Sequence, residues 1–185
     1  KSKINFEYID LGGGMGINYG EERKILNLKK YSSLIKKFLK KQKCQIIFEP
    51  GRSIIGNTGL LISKIIYIKE GSKKDFIILD AAMNDLMRPA LYNANHKIIP
   101  VNKNIRLSKK IYEFVGPICE STDKFALIKR FQKLEEKDFI MICDVGAYGM
   151  SLSSNYNLRP KACEILIKGS KIKIISKRQR LEDII

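Results

Sequence analysis

Between Phe6 and Arg52 two short apolar runs flank one amphipathic stretch, and each run ends on a glycine-bearing polar loop. Phe6 to Leu11 (FEYIDL) gives way to Gly12-Gly13-Gly14, and Gln45 to Phe48 (QIIF) stops at Glu49-Pro50-Gly51-Arg52. Between them Leu28, Tyr31, Leu34, Ile35, Phe38 and Leu39 recur at the three- and four-residue steps of a helix with one apolar face. Lys36, Lys37, Lys40, Lys41 and Lys43 fit the wet face of that helix. Strand, helix, strand predicts a βαβ unit with parallel strands, because a crossover is needed to return the chain in the same direction.

Beyond about residue 57 the rhythm changes. Leu60 to Lys69, Asp75 to Leu79, Lys97 to Val101, Lys110 to Val115, Asp138 to Cys143, Ala162 to Ile167 and Lys171 to Ser176 read as strands. Gly71-Ser72 and Gly169-Ser170 mark tight turns between them. The expected architecture is an α/β piece, residues 1–57, followed by an all-β barrel or sandwich, residues 58–185, whose C-terminal tail returns toward the first piece. Residue 1 is Lys rather than Met and strand-like sequence follows at once, so the chain is expected to be a piece of something longer.

Charge narrows the function. Lys plus Arg number 35 against 19 Asp plus Glu, a net +16, which invites a nucleic-acid partner. The lysines are scattered among apolar residues, however, with no Arg-rich stretch and no interleaved aromatic motif, so nucleic acid is not the expected partner. No apolar run reaches the roughly 18–20 residues of a membrane span, and no signal-peptide stretch is present. Cys44, Cys119, Cys143 and Cys163 form no CxxC pair and no metal spacing with the lone His96, which favours a reduced, cytoplasmic setting and no metal.

Chemistry concentrates in the loops. Three glycines after a parallel strand let backbone N–H groups approach a phosphate, although a plain turn has the same composition. Glu49-Pro50-Gly51-Arg52 stands at the same end of the neighbouring strand, where α/β barrels keep their active sites. In Met83–Tyr92, Arg88 is either a surface residue of a capped turn or a guanidinium clamp for a carboxylate. In Val115–Ser121, Cys119 beside Glu120 is either a small buried hydrophobe or a proton donor. Gly146-Ala147-Tyr148-Gly149 places a phenol among glycines after another strand. His96 is expected to be partly exposed at a strand start.

Together IDLGGGMGINY, FEPGRSIIGNTG, DAAMNDLMRPALY, VGPICESTDKFA and GAYGMSLSSNYNLRP resemble, in order, the motifs of the diaminopimelate decarboxylases. These are pyridoxal-phosphate enzymes of the alanine-racemase-like fold type, with an N-terminal α/β barrel and a C-terminal β-domain. The resemblance implies that this chain carries the last two barrel strands and the β-domain. It further implies pyridoxal 5'-phosphate as cofactor, with Gly13, Gly14, Gly51, Arg52 and Tyr148 gripping its phosphate. Glu49, with Pro50 beside it, would face the ring nitrogen. Arg52, Arg88, Tyr92 and Tyr148 would read the substrate, meso-diaminopimelate, with Glu120 on its distal ammonium. Cys119 would protonate the carbon left by CO2, reaching the site from the neighbouring subunit of a homodimer.

The family's cofactor-holding lysine lies in a Tyr-Ala-Val-Lys-like motif that these residues lack, and Tyr67-Ile68-Lys69-Glu70 does not replace it. The resemblance therefore implies L-lysine formation by a longer chain, with this piece inactive alone. An ornithine- or arginine-type decarboxylase and a non-catalytic remnant are the alternatives. A basic nucleic-acid-binding module is the remotest.

Overall fold

A computed structural model describes residues 6–19, 26–42, 44–103 and 106–185. Lys43, expected on the wet face of the first helix, lies outside the described residues. Strand β1 (Tyr8–Asp10) pairs in parallel with β2 (Gln45–Ile47), and helix α1 (Leu28–Leu39) runs between them, as the sequence pattern requires. The Asn27 side chain caps α1 by accepting from the Lys30 amide at 3.0 Å, and Lys36 and Lys37 meet the negative end of its dipole. None of its residues is buried: Leu28 and Leu34 stay 64% and 65% exposed, and Tyr31 meets the Phe48 ring edge-on.

Two short helices were hidden in segments that read as turns. Glu49-Pro50-Gly51-Arg52 does not merely stop a strand; helix α2 (Gly51–Ile55) starts there and tightens into a 3₁₀ turn at Gly56–Thr58. Helix α3 (Arg88–Tyr92) starts with Pro89 in its first turn and ends at Asn93, which takes the left-handed conformation at φ 51° that closes a helix.

The remaining strands are β3 (Leu60–Lys69), β4 (Lys74–Leu79), β5 (Ile98–Pro100), β6 (Ile111–Val115), β7 (Lys124–Ile128), β8 (Phe139–Cys143), β9 (Glu164–Lys168) and β10 (Lys171–Ser176). Of these only β7 escaped the sequence pattern. Six form one sheet in the order β5-β8-β3-β4-β6-β7, in which β4 and β6 run parallel and the other pairs antiparallel. Strand β3 serves two partners: Leu60 to Lys64 pair with β8, and Ile65 to Lys69 pair with β4 after a register shift between Ile65 and Tyr67. Such a bulge bends a strand, so the sheet curls around a core that includes Ile65, Ile77, Leu79, Phe114, Ile140 and Ile142, all fully buried. Hairpin β9–β10 turns on Gly169, at φ +59°, and forms its own two-stranded ladder. The expected all-β architecture is thus one curled sheet with an accessory hairpin. Among the described residues no helix is long and apolar enough to cross a membrane.

Candidate functional site

Three glycine-bearing loops meet at the C-terminal ends of β1 and β2. Gly12 and Gly14 sit at φ +65° and +74°, a region glycine enters without penalty, and the Gly12 amide donates to the Asp10 carboxylate at 2.7 Å. The Glu49 amide donates to the Gly12 carbonyl at 2.9 Å, and a β-carbon on Gly13 would fall 2.4 Å from the Glu49 carbonyl oxygen. Only glycine lets these loops close on each other there. The chain then turns at Pro50 into α2, where a β-carbon on Gly51 would lie 3.8 Å from the Tyr148 hydroxyl.

Tyr148 is stationed by its backbone. The amides of Gly146 and Val145 donate to the carbonyls of Gly56 and Gly59 at 2.9 and 3.1 Å, stitching this third loop to the end of α2. Tyr148 itself holds φ +59°, unusual for a residue with a side chain, and remains half exposed. Among the described residues the amides of Gly13 and Gly14 and the Arg52 side chain hold no hydrogen bond or ion pair. Backbone amides of the first loop, an arginine in the first turn of α2 and a phenol against Gly51 thus stand at one end of the β1–β2 pair with their capacity unspent; amides, a guanidinium and a hydroxyl are the donors a phosphate ester takes. Glu49 is exposed at the same edge. The sequence-predicted Gly13, Gly14, Glu49, Pro50, Gly51, Arg52 and Tyr148 are all brought together here.

Arg88 is not a surface residue, which corrects one of its two readings. It is 6% exposed; its Nη1 donates to His96 Nε2 at 3.0 Å, and its guanidinium lies 4.6 Å from the centre of the Tyr19 ring. His96, expected to be partly exposed, is 5% exposed, and its Nδ1 bonds the Cys143 carbonyl at 2.9 Å. An arginine can only donate, so Nε2 accepts and Nδ1 carries the proton. Burial holds the His96 pKa below the usual histidine value of 6.5, with the Arg88 charge adding to it and the Cys143 carbonyl and Asp144 opposing. A native pKa below the unfolded one keeps its full contribution above 6.5 and loses it as pH falls toward the native value. Replacing His96 by Gln should therefore flatten the acid-side fall of stability, checked by urea midpoints of the full-length protein across that range. Tyr92, at the end of α3, is 63% exposed.

Cys119 and Glu120 are both exposed, so Cys119 is not a small core hydrophobe. Their loop is held from beneath by Asp123, 3% exposed, whose carboxylate accepts from the amides of Met83 at 2.7 Å and Ile118 at 2.9 Å. A β-carbon on Gly116 would strike that carboxylate at 2.2 Å. Burial, more than any neighbour, pushes the carboxyls of Asp123 and Asp85 up from their usual range. Met83, Asn84 and Asp85 thus tie the segment leading to α3 both to the Cys119 loop and to Arg159, whose Nε donates to Asn84 at 2.9 Å. Sequence reading missed Asp123, Tyr19 and Asn84. Their signal was polarity beside a motif, which does not distinguish a buried tie from a solvated loop. Among the described residues no hydrogen bond or ion pair joins Cys119 or Glu120 to the glycine loops or to Tyr148.

Residues 9–146 match the family described as pyridoxal-dependent decarboxylase, C-terminal sheet domain. Similar curated proteins include the diaminopimelate decarboxylases of Aquifex aeolicus, 42% identical over 98% of this chain and 43% of the relative. Another is that of Neisseria meningitidis serogroup A, 44% identical over 97% of this chain and 43% of the relative. Among solved structures, the Helicobacter pylori diaminopimelate decarboxylase complexed with L-lysine superposes with a TM-score of 0.88 at 42% identity, over 96% of this chain and 43% of that one. The Vibrio vulnificus lysine/ornithine decarboxylase complexed with cadaverine, 20% identical with a TM-score of 0.74 over 84% of this chain and 43% of that one, shares the fold. The chain spans less than half the length of the curated relatives it matches.

Proposed function

Because the chain belongs to the pyridoxal-dependent decarboxylases, we propose that it is the C-terminal part of a diaminopimelate decarboxylase, which converts meso-2,6-diaminopimelate to L-lysine and CO2. The observation that carries this reading is the meeting of three glycine loops, with Arg52 and Tyr148, around unspent donors. Pyridoxal phosphate, when bound, would supply the electron sink for the bonding pair that stays on the carbon as CO2 departs. Gly13, Gly14, Gly51, Arg52 and Tyr148 hold its phosphate, and Glu49, beside Pro50, keeps the ring nitrogen protonated. Residues 1–57 form the last two strands of the cofactor-binding barrel, a reading supported by the parallel β1–β2 pair and its crossover helix.

Arg52, Arg88 and Tyr92 hold the distal carboxylate of the substrate, Tyr148 lies against it, and Glu120 takes the distal ammonium. A far end with both charges needs such a mixed set. Cys119 delivers the proton that replaces the departing carboxyl group. Among the described residues nothing bonds Cys119 or Glu120 to the glycine loops of their own chain, which fits their serving the site of a second copy, in a cytoplasmic homodimer. The family's cofactor-holding lysine has no counterpart motif in these residues, so the activity belongs to a longer chain.

In the full-length protein, Cys119→Ala should lower CO2 release from diaminopimelate by a factor of about 10²–10⁴, the usual worth of a placed acid. Mixed one to one with a full-length Arg52→Ala protein, it should recover about a quarter of wild-type activity, since half the dimers are mixed and each then carries one intact site of two. Unchanged CO2 release from Cys119→Ala would remove its role, and no recovery on mixing would remove the shared site.

A further inference from the structure

We infer that His96 and Tyr19 are positioning residues for Arg88, fixing its guanidinium so that its remaining N–H groups face a carboxylate of the substrate. This rests on the proposed function and deepens it. The His96 ring is anchored first: Nδ1–H donates to the Cys143 carbonyl at 2.9 Å, at the end of β8, which leaves Nε2 as an acceptor for Arg88 Nη1 at 3.0 Å. The Tyr19 ring covers the guanidinium at 4.6 Å and meets the His96 ring edge-on at 5.2 Å, so Arg88 is gripped by one hydrogen bond and one aromatic face.

Neither partner neutralises it. Among the described residues no carboxylate lies within ion-pair distance of Arg88, and Nε and Nη2 hold no hydrogen bond. Asp144 is near enough to act on His96 but forms no ion pair with Arg88. A buried guanidinium without a counter-ion is unfavourable, and a ligand carboxylate offsets that cost. A carboxylate in place of His96 would satisfy the arginine and blunt its pull on substrate, whereas a neutral imidazole orients it and leaves the charge in force. Tyr19 fits the same scheme. Among the described residues its buried hydroxyl has no hydrogen-bond partner, so the ring and not the hydroxyl is what the cluster uses.

The test is calorimetric binding of L-lysine, which retains one carboxylate, to the full-length, cofactor-loaded protein. His96→Ala should weaken lysine about tenfold in the wild-type background and add less than about twofold to Arg88→Ala, the mark of two residues acting as a unit. His96→Gln, whose amide oxygen can still accept from Arg88, should lose less. Should His96→Ala fail to fold, Tyr19→Leu is read in the same cycle, with the same expected coupling to Arg88. An unchanged lysine affinity, or an equal loss with and without Arg88, would overturn the positioning role while leaving the decarboxylase reading in place. Failure of the wild-type protein to bind lysine would instead overturn that reading, and this inference with it.

Discussion

Replacing Gly146 by alanine should cost the full-length protein about 3 kcal/mol, at the upper end for overpacking, because the new methyl group meets backbone on several sides. Its β-carbon would fall 2.0 Å from the Ile55 carbonyl oxygen and 3.0 Å from the Gly59 amide, while the Gly59 β-carbon position is itself 2.5 Å from the Gly146 amide. Backbone cannot rotate away as a side chain can, so the loop must leave α2 and carry Tyr148 with it. Cofactor affinity should therefore fall along with stability. Gly169→Ala provides the contrast, since at φ +59° it has nothing within 4 Å of the added carbon and should cost only about 1 kcal/mol of backbone strain. Urea midpoints of the two variants separate clash from strain, and equal midpoints would contradict the stitched-loop geometry.

Asp123→Ala is expected to lower both stability and rate. It strands the amides of Met83 and Ile118, each now bonded to the buried carboxylate, and should cost about 2–4 kcal/mol. The catalytic consequence follows from where those amides lie. Ile118 immediately precedes Cys119 and Glu120, so loss of the tie lets the proposed proton donor wander, and kcat should fall at least about tenfold because a placed acid acts only within hydrogen-bond reach. Asp123→Asn keeps one acceptor oxygen but turns an N–H toward the other amide, and should lie between. Chemical denaturation and initial rates on the same preparations check both. A variant as stable as wild type with unchanged kcat would show that the loop needs no such support.

How much of this was legible in the sequence depends on the range of the interactions. The βαβ unit and most of the strands follow from local period, and the glycine loops from the runs they end. Helices α2 and α3 escaped because five residues hold barely more than one turn. Pro50-Gly51 looks like a stop, and Pro89 looks like a turn, until the helix beyond each is seen. Strand β7 escaped because it lies between turn-rich segments with a single deeply buried apolar residue, Phe125. The burial of Arg88 and His96 was out of reach for a different reason. It is set by Tyr19 and by Cys143, 47 residues beyond His96, and no local pattern announces them. Asp123 likewise takes its place from Met83, 40 residues away. The resemblance named the residues proposed to touch ligand, whereas the residues that hold those in place became visible only in three dimensions.

The most direct measurement is CO2 release by the full-length, cofactor-loaded protein from meso-diaminopimelate, ornithine and arginine side by side. The expected result is turnover of diaminopimelate to L-lysine with a kcat/KM at least about a hundredfold above the other two, because they lack the distal carboxylate that Arg88 is proposed to hold. Preferential turnover of ornithine or arginine, or no CO2 from any of the three, would contradict the account.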